Sequence, residues 1–145
     1  MYRFNLEPVL NHKSFIEEQL QKEMALFKAI VEDEKNHLIN LKKTKKKLSG
    51  ELQEKQKHGT SISETILYIK FIEKLLKAME KQQIKLFEAE KRLEKKRDEL
   101  IEAMKNRKIL EKLKEKKENE YWEEVSKDDQ DFMNEVAING FNRSI

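Results

Sequence analysis

Apolar residues recur at alternating steps of three and four along the first third of the chain. From Pro8 onward the line runs through Leu10, Lys13, Glu17, Leu20, Met24, Phe27, Val31, Glu34, Leu38, Leu41, Lys45, Leu48 and Leu52. A helix that keeps this spacing over so many turns presents a seam that a second helix must cover. Pro8 suits a first helical turn, where its missing N–H is no loss. Glu17, Glu34 and Lys45 interrupt the apolar line, and polar seam residues fix register at a cost in stability.

The pattern stops at His58-Gly59-Thr60-Ser61. Gly59 fits the left-handed position that ends many helices. Ser61 followed by Glu64 has the spacing of a capping box. A second apolar line then runs through Ile62, Ile66, Ile69, Ile72, Leu76, Met79, Leu86, Leu93, Leu100 and Met104, with interruptions at Gln83, Glu90 and Arg97. Its phase slips around Leu110 and Leu113, which predicts a local change of supercoil. Neither Pro nor Gly occurs between Gly59 and Gly140.

These signals predict an all-α chain with a helix over 4–57, a loop over 58–61 and a helix over 62–139. Two long helices joined by so short a loop fold back as an antiparallel coiled-coil hairpin, a single domain over 1–145. Pairing outward from the loop places Leu48 near Phe71 and Leu38 near Lys81. The helices would be about 75 and about 110 Å long, so residues 116–139 are expected to overhang. Tyr121, Trp122, Val125, Phe132, Met133, Val136 and Phe141 lie beyond the start of that overhang and supply large apolar surfaces there.

Composition sharpens this picture. The chain has 145 residues with one Pro, three Gly, 41% charged and 37% hydrophobic residues. Ordinary usage predicts about seventeen Pro and Gly together, so a turn-rich enzyme fold is disfavoured. The formal charge is +3, but it is unevenly spread. Residues 118–145 carry eight acidic and two basic side chains, whereas residues 61–117 carry seventeen basic and eleven acidic ones. A field polarised in this way steers and orients partners. No cysteine is present, which removes thiolate chemistry and disulfides. No segment approaches the length of an apolar membrane span, and the N-terminus lacks the features of a secretory signal.

No catalytic, cofactor or metal site is expected. His12, His37 and His58 are widely spaced, and no Gly-rich phosphate cradle or metalloprotease motif occurs. The run Lys42, Lys43, Lys45, Lys46, Lys47 reads either as an attraction for phosphate or anionic lipid or as a charged outer helix surface. No nucleic-acid-binding motif accompanies it, and nucleic acid is not an expected partner. Phe71 and Leu75 sit beside the second line, and Leu26, Ile30 and Ile39 broaden the first. They read equally as a generously packed hairpin, with self-association, or as a lateral docking patch.

The opening Phe4-Asn5-Leu6-Glu7-Pro8-Val9-Leu10-Asn11-His12-Lys13, followed by Glu17-Glu18, resembles the amino-terminal pattern of the FliJ family of flagellar type III export proteins. The connection Gly59-Thr60-Ser61-Ile62-Ser63-Glu64 with Tyr68 and Phe71, the stretch Arg107, Leu110, Glu111, Lys112, Lys116, and the closing Phe132, Glu135, Ala137, Phe141 are similar to that family in order and spacing. The resemblance implies a non-enzymatic export component that binds the export ATPase hexamer and promotes its assembly or activity. It also implies contact with the export-gate protein FlhA and with substrate chaperones, in the cytoplasm and peripherally at the inner face of the cell membrane, an association made through the apparatus.

On this reading Phe4, Leu6, Leu10, Tyr121, Trp122, Val125 and Phe132 are candidates for ATPase contact. Leu38, Leu41, Phe71, Leu75 and Met79 are candidates for gate contact. A generic coiled-coil adaptor or secretion chaperone, and the stalk of a virulence-type secretion system, are the alternatives.

Overall fold

The computed structural model describes residues 1–144, with side chains described up to residue 143. It contains two helices, α1 (Glu7–His58) and α2 (Ile62–Ser144). They are antiparallel and form a coiled-coil hairpin. The chain divides into two units, Leu20–Glu99 and Met1–Gln19 with the α2 residues from Leu100 onward.

The unit Leu20–Glu99 contains the bend. Gly59 has φ 86°, the left-handed region, and it releases the chain from α1 without a Cβ clash. Ser61 then caps α2: its Oγ accepts from the Glu64 N–H at 3.1 Å, and its carbonyl accepts from the Thr65 N–H. The Glu64 carboxylate accepts from the Thr60 hydroxyl at 2.8 Å, so the acidic half of the expected box closes one residue earlier.

Every member of the α1 line from Leu20 to Leu52 is buried or half-buried. On α2 the seam is Thr65, Tyr68, Ile72, Leu75, Met79, Gln82, Leu86, Ala89, Leu93 and Lys96. Ile72, Met79, Leu86 and Leu93 are the members of the expected line that this seam keeps, and the line's other members in this unit depart from it. Ile62, Ile66, Ile69 and Leu76 are exposed, and the interruptions expected at Gln83 and Glu90 fall instead on Gln82 and on the small Ala89. Two apolar lines start side by side on α2. The packed one is the line whose later polar members meet partners on α1. Gln82 Nε2 donates to the Glu34 carbonyl at 3.1 Å and to the Glu34 carboxylate. Lys96 pairs with Glu23 at 2.8 Å.

In the other unit the same spacing continues on α2 through Leu100, Ala103, Arg107, Leu110 and Lys114, opposite Glu17, Leu10 and Glu7. Two four-residue steps follow, Leu110 to Lys114 to Glu118, before half-buried Tyr121 and Val125. Such a stutter unwinds a supercoil locally, and it lies where the phase slip is expected.

α1 begins at Glu7 rather than residue 4. The preceding residues form an arm, with the Glu7 N–H bonded to the Phe4 carbonyl. α2 passes through Gly140 to Ser144.

Candidate partner-binding surfaces

The arm Met1–Leu6 lies against α2. The Tyr2 ring meets Tyr121 at 5.6 Å between centroids, and Tyr121 meets Trp122 edge-on at 5.3 Å. The N-terminal ammonium donates to the Tyr121 hydroxyl at 3.3 Å. Desolvation, reinforced by the Glu118 charge, raises the Tyr2 phenol above its ordinary value. Lys114 is paired with Glu7 at 2.9 Å, which raises the lysine. Tyr2, Arg3, Phe4, Asn5, Leu6, Leu113 and Lys117 line an open cleft of about 360 Å³.

The arm therefore covers α2 well past residue 116. Tyr121 has an intramolecular partner in Tyr2, and the part of α2 that is exposed at every described position begins only after Val125.

The seven residues assigned to ATPase contact fall into three groups. Phe4 and Leu6 line the cleft, and Tyr121 and Trp122 stand beside it in the aromatic cluster; Trp122 is 52% exposed. Leu10 is buried in the seam and Val125 is half-buried. Phe132 is exposed but lies eleven residues beyond Tyr121 on the same helix, about 16 Å away. Tyr2 is the residue that joins the first group, and nothing in the helical periodicity points to it. The only sequence signal is an aromatic ring ahead of the first helix.

The gate-contact set, in the unit that holds the bend, also divides. Leu38 and Leu75 are buried, and Leu41 and Met79 are half-buried, all in the seam. Phe71 is 53% exposed. It lines a shallow groove of about 220 Å³ with Leu48, Leu67 and Tyr68, so Phe71 lies near Leu48 as the pairing from the loop requires. Leu67 is the residue that periodicity alone did not single out here.

Among the described residues no group of His, Cys, Asp and Glu has the arrangement to hold a metal ion, and no helix is long and apolar enough to cross a membrane. What these surfaces offer chemically is contact: aromatic and aliphatic side chains beside fixed charges. No curated protein and no solved structure matches this chain. The family model described as flagellar FliJ protein matches residues 2–145, and the chain therefore belongs to the FliJ family.

Proposed function

We propose that the protein engages the flagellar export ATPase through the surface where its N-terminal arm meets α2, and so promotes assembly or activity of the hexamer. A general role in flagellar export, as a non-catalytic stalk or chaperone component, follows from the family and the hairpin fold. The finer assignment rests on one observation: Phe4, Leu6, Tyr121 and Trp122 converge around Tyr2 as a partly exposed aromatic and aliphatic surface. Aromatic anchors of this kind dominate protein interfaces. Exposed Phe132 and the acidic excess of residues 118–145 extend the surface and favour a partner with basic character.

In the same reading Phe71 and its groove meet the export-gate protein FlhA, with substrate chaperones as further partners. The protein then works in the cytoplasm, held peripherally at the inner face of the cell membrane by the apparatus. The test is ATPase activity and ring formation with the purified ATPase, using the wild type and a Trp122→Ala, Phe132→Ala variant of unchanged helicity. The variant should lose most of the stimulation. Full stimulation by the variant removes this contact surface. Capture from native lysate of an unrelated set of partners, with no ATPase among them, favours a generic adaptor instead.

A further inference from the structure

Two stretches of the unit Leu20–Glu99 carry a concentration of charge, on the surface except at half-buried Lys45, that their own carboxylates leave uncompensated. Residues 35–50 hold six lysines and no carboxylate, and residues 65–87 hold five lysines and two glutamates. These stretches lie opposite one another, since Glu51 receives the Tyr68 hydroxyl and Glu34 receives Gln82. Together they have an excess of nine positive charges. Among the described residues the ion pairs fall on Lys55, Lys57, His58, Lys96, Arg107, Lys114 and Lys117, and none falls on these eleven lysines.

The lysines are ordered. Leu67, Lys70, Lys74, Lys77, Lys81 and Ile84 follow one another at steps of three and four, which puts them on one outer stripe of α2. All six are exposed, and the stripe begins and ends on large apolar side chains, Leu67 at 67% and Ile84 at 60% exposure. On α1, Lys35, Ile39, Lys42 and Lys46 are exposed too, at steps of four and three, each one residue past a seam position.

We propose that this stripe docks the protein directly on an anionic phospholipid surface. Repulsion among unpaired like charges costs stability, and an anionic occupant relieves it. The two stretches contain no arginine. Arginine's rigid fork is the group suited to pairing with individual carboxylates or phosphates, whereas lysine is a hydrated point charge on a flexible stem. Lysines alone suit a diffuse field of headgroups better than a sculpted acidic protein face. Leu67 and Ile84 then have a place in the interfacial layer, beneath lysines that keep their ammonium groups in water. A nucleic-acid backbone offers those aliphatic side chains nothing comparable. Each lysine held near an anionic surface contributes about fivefold in affinity.

Vesicle flotation with the full chain tests this. Vesicles of phosphatidylcholine with about 30% phosphatidylglycerol should carry the protein at about 0.1 M salt, and pure phosphatidylcholine should not. Lys70→Gln, Lys74→Gln, Lys77→Gln and Lys81→Gln together should weaken binding at least fiftyfold, with helicity retained. Lys95→Gln, Lys105→Gln, Lys108→Gln and Lys112→Gln together remove the same charge outside the stripe and should leave binding within about fivefold. Leu67→Ser with Ile84→Ser should leave binding that salt abolishes completely. Absence of wild-type binding, or equal loss in the two lysine variants, overturns the proposal. So does displacement from the vesicles by polyglutamate or duplex DNA at equal charge, which assigns the stripe to an acidic protein or to nucleic acid. ATPase stimulation is a separate readout, so failure here leaves the ring contact standing.

Discussion

Arg107 crosses from α2 to Glu17 on α1, with Nη2 3.3 Å from Oε1 and Nε bonded to Oε2, while Nη1 donates to Glu111 at 2.7 Å. Glu17 is among the few buried polar residues, and its hydrogen bonds hold the guanidinium above its ordinary value. Both groups sit at seam positions, so the pair marks a register as well as a contact.

Removing one partner is therefore expected to cost more than removing both. Glu17→Ala leaves a guanidinium that is only partly in water, bonded to Glu111 alone, and should lose about 2 kcal/mol, below the range for a fully enclosed pair because solvent reaches Arg107. Glu17→Leu with Arg107→Leu should recover most of that loss. Urea unfolding of the wild type, Glu17→Ala and the double leucine variant measures both. Equal losses for the single and double variants would show that the pair does nothing beyond ordinary packing.

The bend offers a contrast between two glycines. A Cβ at Gly59 meets nothing, yet φ is 86°, so Gly59→Ala should cost about 1 kcal/mol through the backbone alone. A Cβ at Gly50 also meets nothing, and that residue lies inside α1. Gly50→Ala should stabilise by about 0.5–1 kcal/mol. Opposite shifts in the thermal midpoint are the expected result, and shifts of the same sign would contradict the assigned conformations.

How much of this was readable beforehand depended on whether a residue's partner was local. The α1 line from Leu10 to Leu52 was legible because each apolar step was reinforced by the next. The start of α2 was not, because Ile62, Ile66, Ile69 and Leu76 form as good a stripe as Tyr68, Ile72, Leu75 and Met79. Only the distant pairings of Gln82, Lys96 and Arg107 with Glu34, Glu23 and Glu17 decide between them. Periodicity also ranks a glutamine or lysine as an interruption, when here it is the half of the seam that complements the other helix. The Tyr2 contact lay outside any such rule, since an arm without periodicity carries no information about the surface it covers.

That arm has its own titration. Burial raises the Tyr2 phenol, and a raised acid in the folded state stabilises below its unfolded value and loses that contribution as pH climbs through the folded one. The contact with Tyr121 should thus be constant at neutral pH and weaken only in the alkaline range above about 10. Ultraviolet titration at the tyrosinate band should show one late component that Tyr2→Phe removes. Trp122 is the single tryptophan and stands edge-on to Tyr121, so its emission should change with Tyr2→Ala at neutral pH and hardly at all with Tyr2→Phe.

Phe71 and Leu75 separate a docking role from a packing role, although they are one helical turn apart. Leu75 is 9% exposed and sits in the seam, whereas Phe71 is 53% exposed at the edge of the groove with Leu48 and Leu67. Leu75→Ala removes buried methyl groups and should cost about 2–3 kcal/mol. Phe71→Ala removes mostly surface and should change stability by no more than about 0.5 kcal/mol. If the groove meets the export gate, Phe71→Ala should reduce binding to FlhA at least tenfold while its unfolding curve overlays the wild type. Loss of binding by Leu75→Ala is uninformative unless measured well below its melting transition, where the hairpin is intact and Phe71 still in place. There, Leu75→Ala should bind like the wild type. Tight binding by Phe71→Ala would remove the groove from the gate interface, whatever the behaviour of Leu75→Ala.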